Sequence, residues 1–208
     1  MHVIAFKPRL TAAGYSLIEV MITMFIIAIG LLGLAGLQAR ALNGEIEAAS
    51  RGQGLLLAND MADRMAANLS SVKLPSGAAT YDQQSGGAPI VFGTGYTNTC
   101  ITSNPANLSD QATCCAAKSS QAEIDVCEWD LALKGIAESS GATKIGAMSG
   151  ARGCVFLQAA NVYEIDVAWQ GRDATGAVAS DLTCGATAIT TRRRGVSRRL
   201  RVSDLDGT

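Results

Sequence analysis

The apolar and polar positions along the chain change rhythm three times, and each rhythm predicts a different element. From Val20 to Leu37 there are 18 residues without a charge, and Thr23 is the only clearly polar side chain. At the helical rise this run reaches ~27 Å, close to the hydrocarbon thickness of a bilayer. Beyond it, Leu57, Met61, Met65 and Leu69 recur every four residues beside Asp60, Asp63 and Arg64. That stripe predicts a helix continuing to about Asn68, with one side in the core of a water-exposed domain. Further on, Tyr163, Ile165, Val167 and Trp169 alternate with Glu164, Asp166 and Ala168, the period of a half-buried strand.

Weaker patterns fill the intervals. Residues 70–98 are rich in Ser, Gly, Pro and Ala and predict a loop with one short strand near Ile90–Phe92; 103–119 is similarly irregular. Ser120 to Ala137 predicts a helix with Ile124, Cys127, Leu131 and Trp129 on its apolar side and acids clustered early. Gly153–Gln158 pairs naturally with Val162–Trp169 as an antiparallel hairpin, and 170–176 reads as a loop. A final strand, Val196–Val202, places Val196, Arg198, Leu200 and Val202 on one face and Ser197, Arg199 and Arg201 on the other. A long helix followed by an antiparallel sheet is an α+β architecture.

Within the long helix, Gly30, Gly33, Gly36, Gly44, Gly52 and Gly54 each weaken the helix by up to ~1 kcal/mol relative to Ala. Local melting of this segment is an expectation. The Gly30-x-x-Gly33-x-x-Gly36 spacing also permits close helix packing.

Charge and cysteine usage add compartment information. The net charge of -1 over 208 residues argues against a general polyanion binder. The charge is unevenly placed, since residues 192–208 carry six arginines against two aspartates. Cys100, Cys114, Cys115, Cys127, Cys154 and Cys184 all follow the apolar run, and an even count behind an export signal predicts a disulfide framework. Six cysteines allow 15 pairings. Vicinal Cys114 and Cys115 are expected to take separate partners, and Cys154 with Cys184 is the preferred pair. There is no Cys-x-x-Cys and the only histidine is His2, so no zinc site is expected. Asp125, Glu128 and Asp130 lack the glycine-bearing loop of a calcium site and are read as a solvated helix face.

Ahead of the apolar run stand Lys7 and Arg9, then a small-residue junction ending at Gly14, then Tyr15-Ser16-Leu17-Ile18-Glu19-Val20. This segment resembles the class III signal of the type IV pilin and pseudopilin superfamily, departing from the usual pattern at Tyr15, where Phe is commoner. An ordinary secretory signal is cut after its apolar region, whereas this junction precedes it, so cleavage after Gly14 would leave the helix on the mature chain. The basic leader would stay cytoplasmic and the C-terminal portion would pass outward. A carboxylate within an apolar helix is expensive without a partner, at ~2.5–3.5 kcal/mol on insertion scales. Glu19 is the fifth residue after the junction, one helical turn from the new amino group on Tyr15.

The resemblance implies a leader at 1–14, an N-terminal helix at 15–68 with its membrane part at about 15–37, and a periplasmic or extracellular domain at 69–208. It implies the pilin-like fold, with the helix packed on a C-terminal sheet. It further implies cleavage by a prepilin peptidase, N-methylation of Tyr15, and pairing of Glu19 with the amine of a neighbouring subunit. Asp63–Asn68 closing the helix, Gly153-Cys154 before a strand, and Tyr163–Trp169 before an arginine-led strand narrow the resemblance to the minor pilins that modify type IV pili. The implied partners are other minor pilins and the major pilin through the helix, the prepilin peptidase, and the inner membrane before transfer to the pilus surface. A type II secretion pseudopilin shares the same N-terminus, and a membrane-anchored module binding DNA or a surface is the third reading. For Arg192, Arg193, Arg194, Arg198, Arg199 and Arg201, structural and subunit-contact roles are preferred over nucleic acid. No histidine outside the leader, phosphate loop or nucleophile–base pair is present, so neither an enzyme nor a cofactor is expected.

Overall fold

The computed structural model describes residues 14–72, 81, 84–85, 88–96, 113–136, 139–140, 143–144, 146, 148–159, 161–174 and 182–202. The chain divides into two compact units, Met1–Glu45 and Ile46–Thr208. Helix α1, Leu17–Ala67, crosses that division without interruption at any of its glycines. In the first unit every described side chain from Tyr15 to Leu42 is exposed, as an all-apolar helix must be outside a lipid or protein environment.

The second unit begins with the last turns of α1. Gly54, Ala58, Met61, Ala62 and Met65 are buried at the i, i+4, i+7 spacing of one helix face, and Leu57 packs at its margin. The expected stripe is therefore core, with Met61 and Met65 fully buried and Leu57 and Leu69 partly so, and Gly54, Ala58 and Ala62 complete the buried face. A short helix α2, Leu69–Val72, follows. Two-residue strands β1 (Gln84–Ser85) and β2 (Ala88–Pro89) form a small hairpin, and β3, Phe92–Gly93, begins the main sheet. The short strand expected near Ile90–Phe92 thus lies slightly later.

Helix α3, Gln121–Leu133, starts at a capping box. Ser120 Oγ accepts from the Glu123 N–H at 3.3 Å, and Glu123 reaches back to the Ser120 N–H. A second small hairpin pairs β4 (Ser139–Ser140) with β5 (Thr143–Lys144). Strands β6 (Arg152–Ala159), β7 (Val162–Gln170) and β8 (Arg193–Arg201) complete a four-stranded antiparallel sheet of order β3-β6-β7-β8. Alpha helices with an antiparallel sheet make the fold α+β, consistent with a pilin fold.

One face of the sheet receives the helices. Tyr163, Ile165, Val167 and Trp169 are buried there with Met61, Met65 and Trp129. Two glycines permit that approach. A Cβ on Gly54 would stand 2.9 Å from the Trp169 ring, and one on Gly153 would stand 2.3 Å from the Trp129 ring. The opposite face departs from the expected half-buried pattern, because Asp166 and Ala168 are also buried. Cys154, Ala168 and Cys184 form a second small cluster there, placed by the Cys154–Cys184 bond that fastens the 182–190 segment over the sheet.

Candidate assembly site

The N-terminal site is built from very little chain. Gly14, Tyr15 and Ser16 precede α1, and the Ser16 carbonyl accepts from the Glu19 N–H at 3.0 Å and the Val20 N–H at 3.3 Å. Glu19 thus sits in the first helical turn, where a carboxylate faces the positive end of the helix dipole. Tyr15 is 84% exposed and Leu17 78% exposed. Among the described residues of this unit nothing satisfies the carboxylate, and the helix offers side chains for burial on every side. Chemically, that combination can exchange lipid for apolar protein neighbours and can accept one positive charge near the first turn. The leader expected at 1–14 falls, except for Gly14, outside the described residues.

The domain half of α1 is held by a polar network absent from the sequence expectations. Arg64 bonds Asp60 at 3.0 Å and Glu128 at 2.6 Å, and lies 3.5 Å from Asp125. Burial works against the charged guanidinium, but its bonds to the Glu128 and Asp60 carboxylates outweigh it and raise its pKa. Asp125 also accepts from Gln121 at 3.0 Å and from the Tyr81 hydroxyl, which in turn accepts from Asn68 at 2.9 Å. Burial and the bond to Asp125 push the Tyr81 pKa well above its ordinary value.

Asp125 and Asp130 correct the reading of α3 as a solvated acidic face. Both are buried. Asp130 accepts from the Gly93 N–H at 2.7 Å and from Lys134 at 2.5 Å, so it joins α3 to the first strand of the main sheet. Trp129, rather than Ile124, is the centre of the apolar side, and its indole N–H donates to the Leu57 carbonyl at 2.9 Å. Spacing along α3 could not reveal these partners, which lie 37 to 72 residues away in sequence. No group of three metal-capable side chains occurs among the described residues.

The cysteines are distributed over two walls of the domain. Cys115 bonds Cys127, fastening the helical turn at 113–116 to α3, and Cys154 bonds Cys184. Cys114 is disulfide-bonded too, so the vicinal cysteines take separate partners. Cys100 lies outside the described residues.

The C-terminal arginines do not form one patch. The last strand starts at Arg193, earlier than expected, and so absorbs most of the arginine triplet. Arg194 bonds Glu47 of α1 at 3.0 Å. Arg199 lies 3.7 Å from Glu164 across the β7–β8 pair, and Asp166 takes the Ser197 hydroxyl at 2.5 Å. Arg192, Arg198 and Arg201 are exposed.

The family model described as the prokaryotic N-terminal methylation motif matches residues 9–35, which include Gly14, Tyr15 and Glu19. This match supports a type IV pilin-like protein. No curated protein and no solved structure matches the chain. In a pilin or pseudopilin the motif implies processing by a prepilin peptidase and assembly with other pilins. Together with the apolar helix it indicates membrane anchoring coupled to pilus assembly. Proteins that carry it are generally structural and not enzymatic.

Proposed function

We propose that the chain is a minor pilin of the kind called the type IV pilus modification protein PilV, which primes pilus assembly from the inner membrane and joins other minor pilins near the tip. In this reading residues 1–14 are the leader, 15–68 the helix with its membrane part at about 15–37, and 69–208 the outward domain. Prepilin peptidase cuts after Gly14 and methylates the amine of Tyr15. The observation that carries the proposal is Glu19 in the first turn of α1, directly ahead of the uncharged and exposed run Val20–Leu37. On extraction into a filament, that carboxylate meets the amine of an adjacent subunit, and both charges are neutralised in apolar surroundings.

The test is Glu19→Val in the full chain. Membrane insertion should be unchanged while incorporation into sheared pili falls at least tenfold; normal piliation and incorporation would defeat the proposal. A type II secretion pseudopilin would show the same sensitivity in secretion assays, with no chain recovered from sheared pili.

A further inference from the structure

β8 ends the main sheet, and among the described residues no segment pairs with its outer edge. Two flanking bonds fix the phase of the β7–β8 ladder: the Gly171 N–H to the Arg192 carbonyl at 2.7 Å, and the Val202 N–H to the Asn161 carbonyl at 2.9 Å. The register between them runs without a shift. Inward-bonding residues alternate along an antiparallel strand, so the even positions from 192 to 202 turn their backbone groups toward β7. Gly195, Ser197, Arg199 and Arg201 therefore turn their N–H and C=O groups outward, along a strand of nine residues. Such an edge is a template for another strand.

The side chains specify which strand. Arg198 stands on the face shared with Ile165, while Arg199 and Arg201 stand on the other, opposite Glu164 and Val162. Only Arg199 has a carboxylate within reach among the described residues, and it remains 76% exposed. A second copy of β8 laid antiparallel on this edge would set arginines against arginines, which disfavours self-pairing. A strand in the plane of the sheet presents alternate side chains to both faces, and so can engage all three guanidinium groups. A nucleic acid duplex would meet one face and would leave the outward backbone groups unpaired.

We propose that the outer edge of β8 receives an extended acidic segment of another protein by β-augmentation. The outward groups of Ser197, Arg199 and Arg201 form the ladder, and Arg198, Arg199 and Arg201 select carboxylates on its two faces.

The proline variant separates ladder from charge. Arg199→Pro and Arg199→Thr remove the same charge, but only proline removes an outward N–H, which an edge strand tolerates. The probe is a fluorescent nine-residue peptide of glutamate and threonine, carboxylates on both faces, added to the full chain in detergent. Its lysine counterpart and a double-stranded DNA oligonucleotide are the controls. The acidic peptide should bind, losing about two- to fivefold with Arg199→Thr and at least tenfold with Arg199→Pro. Arg201→Pro, near the strand end, should repeat the loss if Arg199→Pro folds poorly by circular dichroism. Equal effects of proline and threonine, no binding of the acidic peptide, or preferential binding of DNA would each overturn the proposal.

Discussion

The two halves of α1 obey opposite rules although one backbone runs through both. From Val20 to Leu37 the helix is apolar around its circumference, and among the described residues nothing in its own unit covers it. From Ile46 to Ala67 it is apolar on one face, which Gly54, Ala58, Met61, Ala62 and Met65 bury completely or nearly so. The first half takes its stabilisation from whatever environment it enters, the second from its own domain. A helix can thus change solvent part-way without a break, provided that the hydrophobic pattern narrows from a cylinder to a stripe at the same place.

The sharpest way to break this contrast is truncation on the two sides of the division. Met61→Ala should destabilise the domain by roughly 2–5 kcal/mol, since the side chain is fully buried. Leu34→Ala, exposed in the first unit, should leave the domain's thermal midpoint unchanged in detergent. A matching shift for both would mean that the halves fold as one cooperative body.

Removing the Cys154–Cys184 bond by replacing both cysteines with alanine should lower stability by about 2–4 kcal/mol, read by urea denaturation. The predicted loss is confined to the second unit, so helicity of residues 17–45 in detergent should persist.

Gly153→Ala tests how closely α3 approaches the sheet. The new methyl group would press on the Trp129 ring and on Leu133. Overpacking of that kind should cost about 1–3 kcal/mol. Retained stability would indicate that α3 can shift outward without losing its hold on Leu57.

The smallest effect is expected from Tyr81→Phe, about 1–2 kcal/mol for the lost hydroxyl partner of buried Asp125. It carries a pH signature. The raised native pKa of Tyr81 means that the unfolded chain ionises first, near 10, while the native state keeps its proton. The contribution is fully present below that pH and falls away as pH rises toward the native value. Stability measured from pH 9 upward should therefore decline less steeply in Tyr81→Phe than in the parent.

Features that depend on short sequence periods are legible in the sequence. The methylation motif, the Met61–Met65 stripe, the β6–β7 pair and the arginine-led last strand are all local patterns. What escaped depends on partners far along the chain. Asp125 and Asp130 look solvated in α3 because Arg64, Tyr81 and Gly93 cannot be placed beside them from spacing. Ala168 looks like an outward strand position because the segment fastened at Cys184 covers it only after folding, and Asp166 looks outward because its bond to Ser197 on β8 is equally distant in sequence. By propensity alone Gly54 weakens the helix, whereas in the fold its missing side chain seats Trp169.

The chain has two tryptophans, and both lie along the seam between α1 and the rest of its domain. Trp129 donates to the carbonyl of Leu57, and Trp169 stacks over Gly54. All indole fluorescence of the protein therefore originates at that seam. A red shift in its emission would register the helix parting from the sheet, making the chain its own optical gauge of that contact, with no added label.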